Sequence, residues 1–218
     1  MKNSVLPFLI SALKSFRKEL RGEESARVQR EVVLTGIGGQ GVQFASQVLA
    51  RGALAAGFEV QLFGSYGGMM RGGNTEATLV VSDEPVLAPP TVDRTWSAIV
   101  MHHDYWEHTR DLLSPETYVL VDSSVFEATL PSSLLRVTQL PATQLAIELG
   151  KMQTACMVLL GALLAVTELI PLQAVIDAVP AALPPYRRAA VKFNQRALQV
   201  GHDAARRDMA ELPLAVET

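Results

Sequence analysis

Four glycines fall within six positions, Gly36, Gly38, Gly39 and Gly41, directly after the apolar run Val32-Val33-Leu34. Gly36-Ile37-Gly38-Gly39-Gln40-Gly41 fits G-x-G-x-x-G and leads straight into the helical-looking stretch VQFASQVLA. Glycines there permit a tight turn, close approach of a ligand and close helix–strand packing. The first N–H groups of the following helix carry partial positive charge, so the segment suits a phosphate or another anion. A second constellation follows at Ser65-Tyr66-Gly67-Gly68-Met69-Met70-Arg71-Gly72-Gly73-Asn74. It sets one fixed cation, Arg71, between two glycine pairs. A guanidinium in such a loop can grip a carboxylate or phosphate through two parallel bonds; the plainer alternative is a flexible connection with Arg71 on the surface. Met69 and Met70 read as packing against a core or a partner.

The dinucleotide reading asks for one residue more, an acid at the end of the second strand for the ribose hydroxyls. The only acid in that strand is Glu59, at its beginning, which demotes a nicotinamide or flavin site. No Lys-Ser/Thr follows the first loop, so it is not a nucleoside-triphosphate loop of the Walker kind. Other polar residues offer less. His102 and His103 end an apolar run where a base could sit, but no partner for a nucleophilic triad can be named and no metal-ligand spacing accompanies them. Asp122-Ser123-Ser124 could touch a ligand or cap a following segment. His108 and His202 read as surface residues, and Cys156, inside an apolar stretch, as inert packing. From the residues alone, the chain carries no catalytic constellation and no metal site.

Composition narrows the class. A net charge of −3 over 218 residues shows no basic excess for nucleic acid. One cysteine excludes an internal disulfide and a cysteine-ligated iron–sulfur cluster held by this chain, and a reduced, cytoplasmic setting is the expectation. The run Met152 to Ile170 approaches membrane-spanning length, but Lys151, Gln153 and Glu168 bracket it and Thr154, Gly161 and Thr167 interrupt it. It reads as a buried helix.

The elements that must position the loops follow from periodicity. Strands are expected over 31–35, 58–63, 75–83, 96–102, 117–124 and 134–141. Helices are expected from Gly41 to Ala56, from Asp104 to Leu113 with Asp104 near the N-cap, over 142–150, 151–170 and 171–179, and from Pro184 to Met209. The last helix shows Tyr186, Ala190, Phe193, Ala197 and Val200 at helical spacing, with Arg187, Arg188, Lys192 and Arg196 outward. Short apolar strands alternating with helices predict a three-layer α/β/α domain, with a mostly parallel, Rossmann-like sheet and a helical C-terminal region. Ligands in such sheets sit beyond the carboxyl ends of strands. The expected organisation is an N-terminal amphipathic helix (about Pro7 to Leu20) and linker over 1–30, the domain over 31–209 and a loose tail over 210–218.

At these residues the sequence resembles a known family. GIGGQGVQFASQVLA followed by FGSYGGMMRGGNTEATLVVSDEPV is similar to the gamma subunit, or gamma domain, of the 2-oxoacid:ferredoxin oxidoreductases. The family pattern runs G-x-GGQG, then SYG-x-x-x-RGG, then an alternating strand ending near S-D-x-P. The helical end KMQTACMVLLGALLAVTELI is similar too, with Thr154-Ala155-Cys156 where an Asn is common, and Met69 and Met70 replace acidic or small residues. The likeness covers about 31 to 201. Its SYG form favours the 2-oxoglutarate type over the pyruvate or indolepyruvate type.

The resemblance implies oxidative decarboxylation of a 2-oxoacid with coenzyme A, giving acyl-CoA, carbon dioxide and a reduced acceptor. Thiamine diphosphate and iron–sulfur clusters would sit on alpha and beta partners, and on a delta, ferredoxin-like subunit in forms that have one. Ferredoxin or a comparable acceptor would take the electrons, and this chain alone would hold none of these cofactors. By the same likeness Gly36, Gly38, Gly39, Gln40, Gly41, Ser65, Tyr66, Arg71, Gly72 and Gly73 face coenzyme A or shape a subunit contact. The rival readings are a free-standing NAD- or flavin-binding reductase and a pure assembly module.

Overall fold

The computed structural model describes residues 28–66, 73–86, 92–104 and 106–211. The expected N-terminal helix, the tail beyond 211, and Arg71 and Gly72 lie outside the described residues. Six strands form one sheet: β1 (Gln29–Ile37), β2 (Glu59–Tyr66), β3 (Asn74–Ser82), β4 (Ser97–Val100), β5 (Tyr118–Asp122) and β6 (Arg136–Leu140). The helices are α1 (Val42–Ala55), α2 (Glu107–Asp111), α3 (Ala142–Glu148), α4 (Ala155–Thr167), α5 (Leu172–Ala182) and α6 (Val191–Glu211). Short 3₁₀ turns at Met152–Thr154 and Pro185–Ala190 lead into α4 and α6.

The strand order is β2-β3-β1-β4-β5-β6. β1, β4, β5 and β6 are parallel neighbours, while β3 runs antiparallel to both β1 and β2. The mostly parallel sheet expected from the sequence is present, with β3 reversed for a simple reason. A parallel return needs a crossover of roughly a dozen residues. The Gly-rich connection from Tyr66 to Asn74 is too short for that, so the chain turns back and inserts β3 between β2 and β1.

Most of the apolar surface lies on one face of the sheet, where Val32, Leu34, Leu79, Ile99 and Leu120 meet α1, α3, α4, α5 and α6. The opposite layer is thin: Ala98, Val100, Val119 and Val121 are covered by Trp106, Leu113 and Phe126 around the five-residue α2. Trp106, not Asp104, stands at the α2 N-cap; the Asp104 carboxylate instead lies 3.6 Å from His102 and 3.7 Å from His103. Among the described residues no helix is long and apolar enough to cross a membrane.

α4 is buried from Ala155 to Ala165 because α6 lies directly against it. The contact is made by two glycines. A Cβ on Gly161 would overlap the Leu198 carbonyl, and one on Gly201 would overlap the Val158 carbonyl. The buried face of α6 is therefore Asn194, Ala197, Leu198, Gly201, Ala204 and Ala205. This corrects the expected face: Tyr186 is 80% and Phe193 40% exposed. The 3₁₀ turn shifts the helical phase before α6 begins, and a face of small residues gives only a weak apolar signal. His202 is likewise not a surface residue. Its ring is mostly buried, with Nδ1 lacking a hydrogen-bond partner and 3.6 Å from Asp203.

Candidate functional site

Strand register brings the two glycine loops together. Ile37 pairs with Asn74 and Gly36 with Thr75, while Tyr66 pairs with Thr75 from the other side. The end of β1, the end of β2 and the start of β3 thus share one edge, and the Gly38 N–H donates to the Gly73 carbonyl at 2.9 Å. Glu59 sits opposite Ser82 at the other end of β2. The acid a ribose would need is at the wrong end of the strand.

Gln40 holds the first loop shut. Its Oε1 accepts the Ile37 N–H at 2.9 Å and its Nε2 donates to the Met101 carbonyl at 3.2 Å, beyond β4. Gln43, which no sequence motif marks, fastens the ends of β2 and β3 that flank the second loop. Its amide donates to the carbonyls of Glu76 (2.7 Å) and Ser65 (3.4 Å), and the missing side chain of Gly64 makes room for it. The turn into α1 depends on Gly41, whose φ of 88° is left-handed. Ala45 is the first residue to bond back, its N–H reaching the Gly41 carbonyl at 2.9 Å. The N–H groups of Val42, Gln43 and Phe44 thus precede the helix's own bonding pattern.

Above this turn lies an open cavity of about 740 Å³. Gly38, Gly39, Gly41 and Gly73 line it; Gly36 does not, being packed against Gln40 and Met101, and neither does Gln40 itself. Ser65 is exposed at the end of β2 and meets Gln43 only through its carbonyl. The far wall comes from residues distant in sequence: Lys151, Gln153 and Thr154 before α4, and Tyr186, Arg187 and Asn194 around the start of α6. Lys151 and Arg187 escape a reading of the sequence as site residues, because no motif marks them and only the packing of α4 and α6 brings them over the loop.

The remaining candidates resolve into structure. The rings of His102 and His103 stack at 4.3 Å, with His103 Nδ1 3.1 Å from the Val125 carbonyl and His102 Nδ1 accepting the Asp104 N–H at 3.0 Å. One ligand atom from each of His102, His103 and Asp104 lies within 4.8 Å of the others; both Nδ1 atoms are engaged by these bonds, and His103 Nε2 faces Asp104 at 3.7 Å. Asp122 is fully buried and accepts from the Thr143 N–H and hydroxyl and from the Ser124 N–H. It caps α3 and ties that helix to the end of β5. Cys156 is buried at the start of α4; burial first, and the charge of Asp122 second, push its thiol far above the ordinary range. It stays protonated across neutral pH, and a protonated, buried thiol is a poor nucleophile. Native protein should therefore react with a thiol reagent only at the rate of global unfolding, with full labelling in denaturant. Rapid native labelling with no pH threshold would contradict this.

The Pyruvate ferredoxin/flavodoxin oxidoreductase family model matches residues 31–204. The 2-oxoglutarate synthase subunit KorC of Archaeoglobus fulgidus is 31% identical, over 80% of this chain and 87% of that protein. The keto/oxoacid ferredoxin oxidoreductase gamma subunit of Geobacter sulfurreducens PCA superposes with a TM-score of 0.69 at 27% identity, covering 82% of this chain and 97% of that one. A second solved structure shares the fold, with a TM-score of 0.69 at 20% identity: 2-oxoglutarate:ferredoxin oxidoreductase from Magnetococcus marinus with 2-oxoglutarate, coenzyme A and succinyl-CoA bound, of which this chain spans 31%. The chain belongs to the pyruvate ferredoxin/flavodoxin oxidoreductase family and has the fold of its gamma subunits.

Proposed function

We propose that this chain is the gamma subunit of a cytoplasmic, multi-subunit 2-oxoacid:ferredoxin oxidoreductase of the 2-oxoglutarate type. The complex converts a 2-oxoacid and coenzyme A to acyl-CoA and carbon dioxide and passes electrons to ferredoxin or a comparable acceptor. The observation that carries the reading is a mismatch of completeness. The chain matches 97% of a gamma subunit's length, yet its described residues hold no acid–base constellation and its sequence only one cysteine. A lone buried thiol cannot ligate an iron–sulfur cluster, so the residues present do not fit that group. Clusters and thiamine diphosphate are assigned to alpha, beta and, where present, delta partners.

On this reading the subunit's part is to bind and orient. The first loop and the α1 N-terminus offer N–H groups to an anionic part of coenzyme A at the junction with the alpha partner. Arg71 stands two positions before Gly73, which lines the cavity. Arg71→Ala is expected to lower turnover per assembled complex roughly ten-fold, the loss of about one charged hydrogen bond, without lowering the chain's own melting temperature. Equal turnover per assembled complex would sink that role. If the loops serve assembly alone, coenzyme A will leave hydrogen exchange at 36–41 and 65–73 unchanged in the complex.

A further inference from the structure

We propose that residues 7–20 dock, as an amphipathic helix of the same chain, in an apolar groove at the end of the domain turned away from the glycine loops. The family match begins at residue 31, so this contact stands apart from the subunit role. The groove has a volume of about 540 Å³ and lies between the end of α1, the start of β2, the α4–α5 junction and α6. Phe58, Leu164, Leu169 and Leu172 form its wall, and Glu168 and Arg206 stand exposed beside it. Phe58, Leu169 and Leu172 pack against the main core yet are only half-buried. A contiguous apolar surface of this kind marks a place where something binds.

Three observations name the occupant. The first is reach. β1 and β2 each pair antiparallel with β3, so they run in the same direction, and Gln29 and Glu59 both stand opposite Ser82. Val28 and Phe58, each one residue earlier, therefore enter the sheet at the same end, two strand spacings or about 10 Å apart. Residues 21–27 can span roughly 25 Å when extended, which brings Leu20 to the groove with length to spare. The second is pattern. Leu9, Ile10, Leu13 and Phe16 recur at helical spacing. A helix over 7–20 is about 21 Å long and marginal by itself in water; burying its apolar face supplies the stability it lacks. The third is charge. The segment carries Lys14, Arg17 and Lys18 against the one acid Glu19. Around the groove Glu59, Asp83 and Glu168 are exposed, and Arg206 lies 3.5 Å from Glu168, where its charge is already offset.

The test compares the full chain with its Leu13→Ser/Phe16→Ser variant by hydrogen exchange, at two protein concentrations and with or without vesicles of phosphatidylcholine and phosphatidylglycerol. In the variant, exchange over 164–172 and 202–206 should be at least about ten-fold faster. Trypsin should cut after Lys14, Arg17 and Lys18 faster by a similar factor, and the melting temperature should fall by about 4 °C. Glu168→Lys leaves the apolar face of the segment intact and should speed the same cleavage about three-fold. Unchanged exchange over 164–172 in the double variant would overturn the docking. Protection that fades on dilution, with a dimer in sedimentation, would seat the segment on a second copy and overturn the contact within one chain. Vesicle binding through residues 7–20, with the groove amides unchanged, would assign the segment to a lipid surface and overturn it equally. The subunit reading would survive each of these outcomes, because it stands or falls on complex formation and 2-oxoacid turnover.

Discussion

Gly201→Val is expected to abolish folding of the domain, and Gly201→Ala to weaken it by about 2–3 kcal/mol. Helix propensity alone points the other way, since alanine is favoured over glycine in a helix interior by about 1 kcal/mol. Packing decides the sign. A Cβ at Gly201 overlaps the Val158 carbonyl of α4, and that atom is backbone, so a rotamer change cannot make room. α6 must move off α4, which unseats Leu198 from among Val158 and its buried neighbours. Overpacking of this kind costs about 1–3 kcal/mol for small insertions and more for a branched side chain, which puts Gly201→Val above roughly 4 kcal/mol. Urea denaturation of the alanine variant and solubility of the valine variant provide the check. A stabilised Gly201→Ala would mean that the two helices do not touch as described. Gly161, opposite Leu198, should behave alike.

The second large effect is at Gly41. Gly41→Ala combines two penalties. The left-handed φ of 88° costs an L-residue about 1–2 kcal/mol. The new Cβ would also stand 2.8 Å from the Gln153 carbonyl, on the turn that carries Lys151 and Thr154. The substitution would press the two walls of the cavity apart, so it should lower stability by about 2–3 kcal/mol and remove anion binding together. Gly39→Ala is the control. Its φ of 109° is equally unfavourable, but nothing lies within 4 Å of its Cβ position. Only the strain should appear there, with the far wall undisturbed. Equal losses at the two positions would show that the contact with Gln153 plays no part.

These positions also show what can be read without coordinates. The loop Gly36–Gly41 is legible because glycines packed between an apolar strand and a helix serve a tight turn that something else approaches closely. The central strands are legible from their apolar character: Val32-Val33-Leu34 and Val119-Leu120-Val121 are continuous runs, buried on both faces. Their alternation with helices gives the layers. The direction of β3 is not legible in the pattern of β3 itself; it follows from the short connection between Tyr66 and Asn74. The face of α6 is hidden because Ala197, Gly201 and Ala204 pack by being small, and smallness leaves little trace in an apolar periodicity. Gln40 is legible as part of the loop, but its task of fastening Ile37 to Met101 is a tertiary fact. Lys151 and Arg187 are the largest omission. They stand more than a hundred residues from the loop they face, and only the crossing of α4 and α6 at Gly161 and Gly201 brings them to it.

The central claim is that this chain works inside a larger oxidoreductase. The most direct measurement is to purify the chain gently from its native cells and identify the proteins that accompany it. The eluate is then assayed for reduction of a viologen dye that depends on both a 2-oxoacid and coenzyme A. The account predicts partners carrying thiamine diphosphate and iron–sulfur clusters, with activity strongest on 2-oxoglutarate. A chain that purifies alone, without such activity and with bound NAD or flavin absorbance, would contradict it.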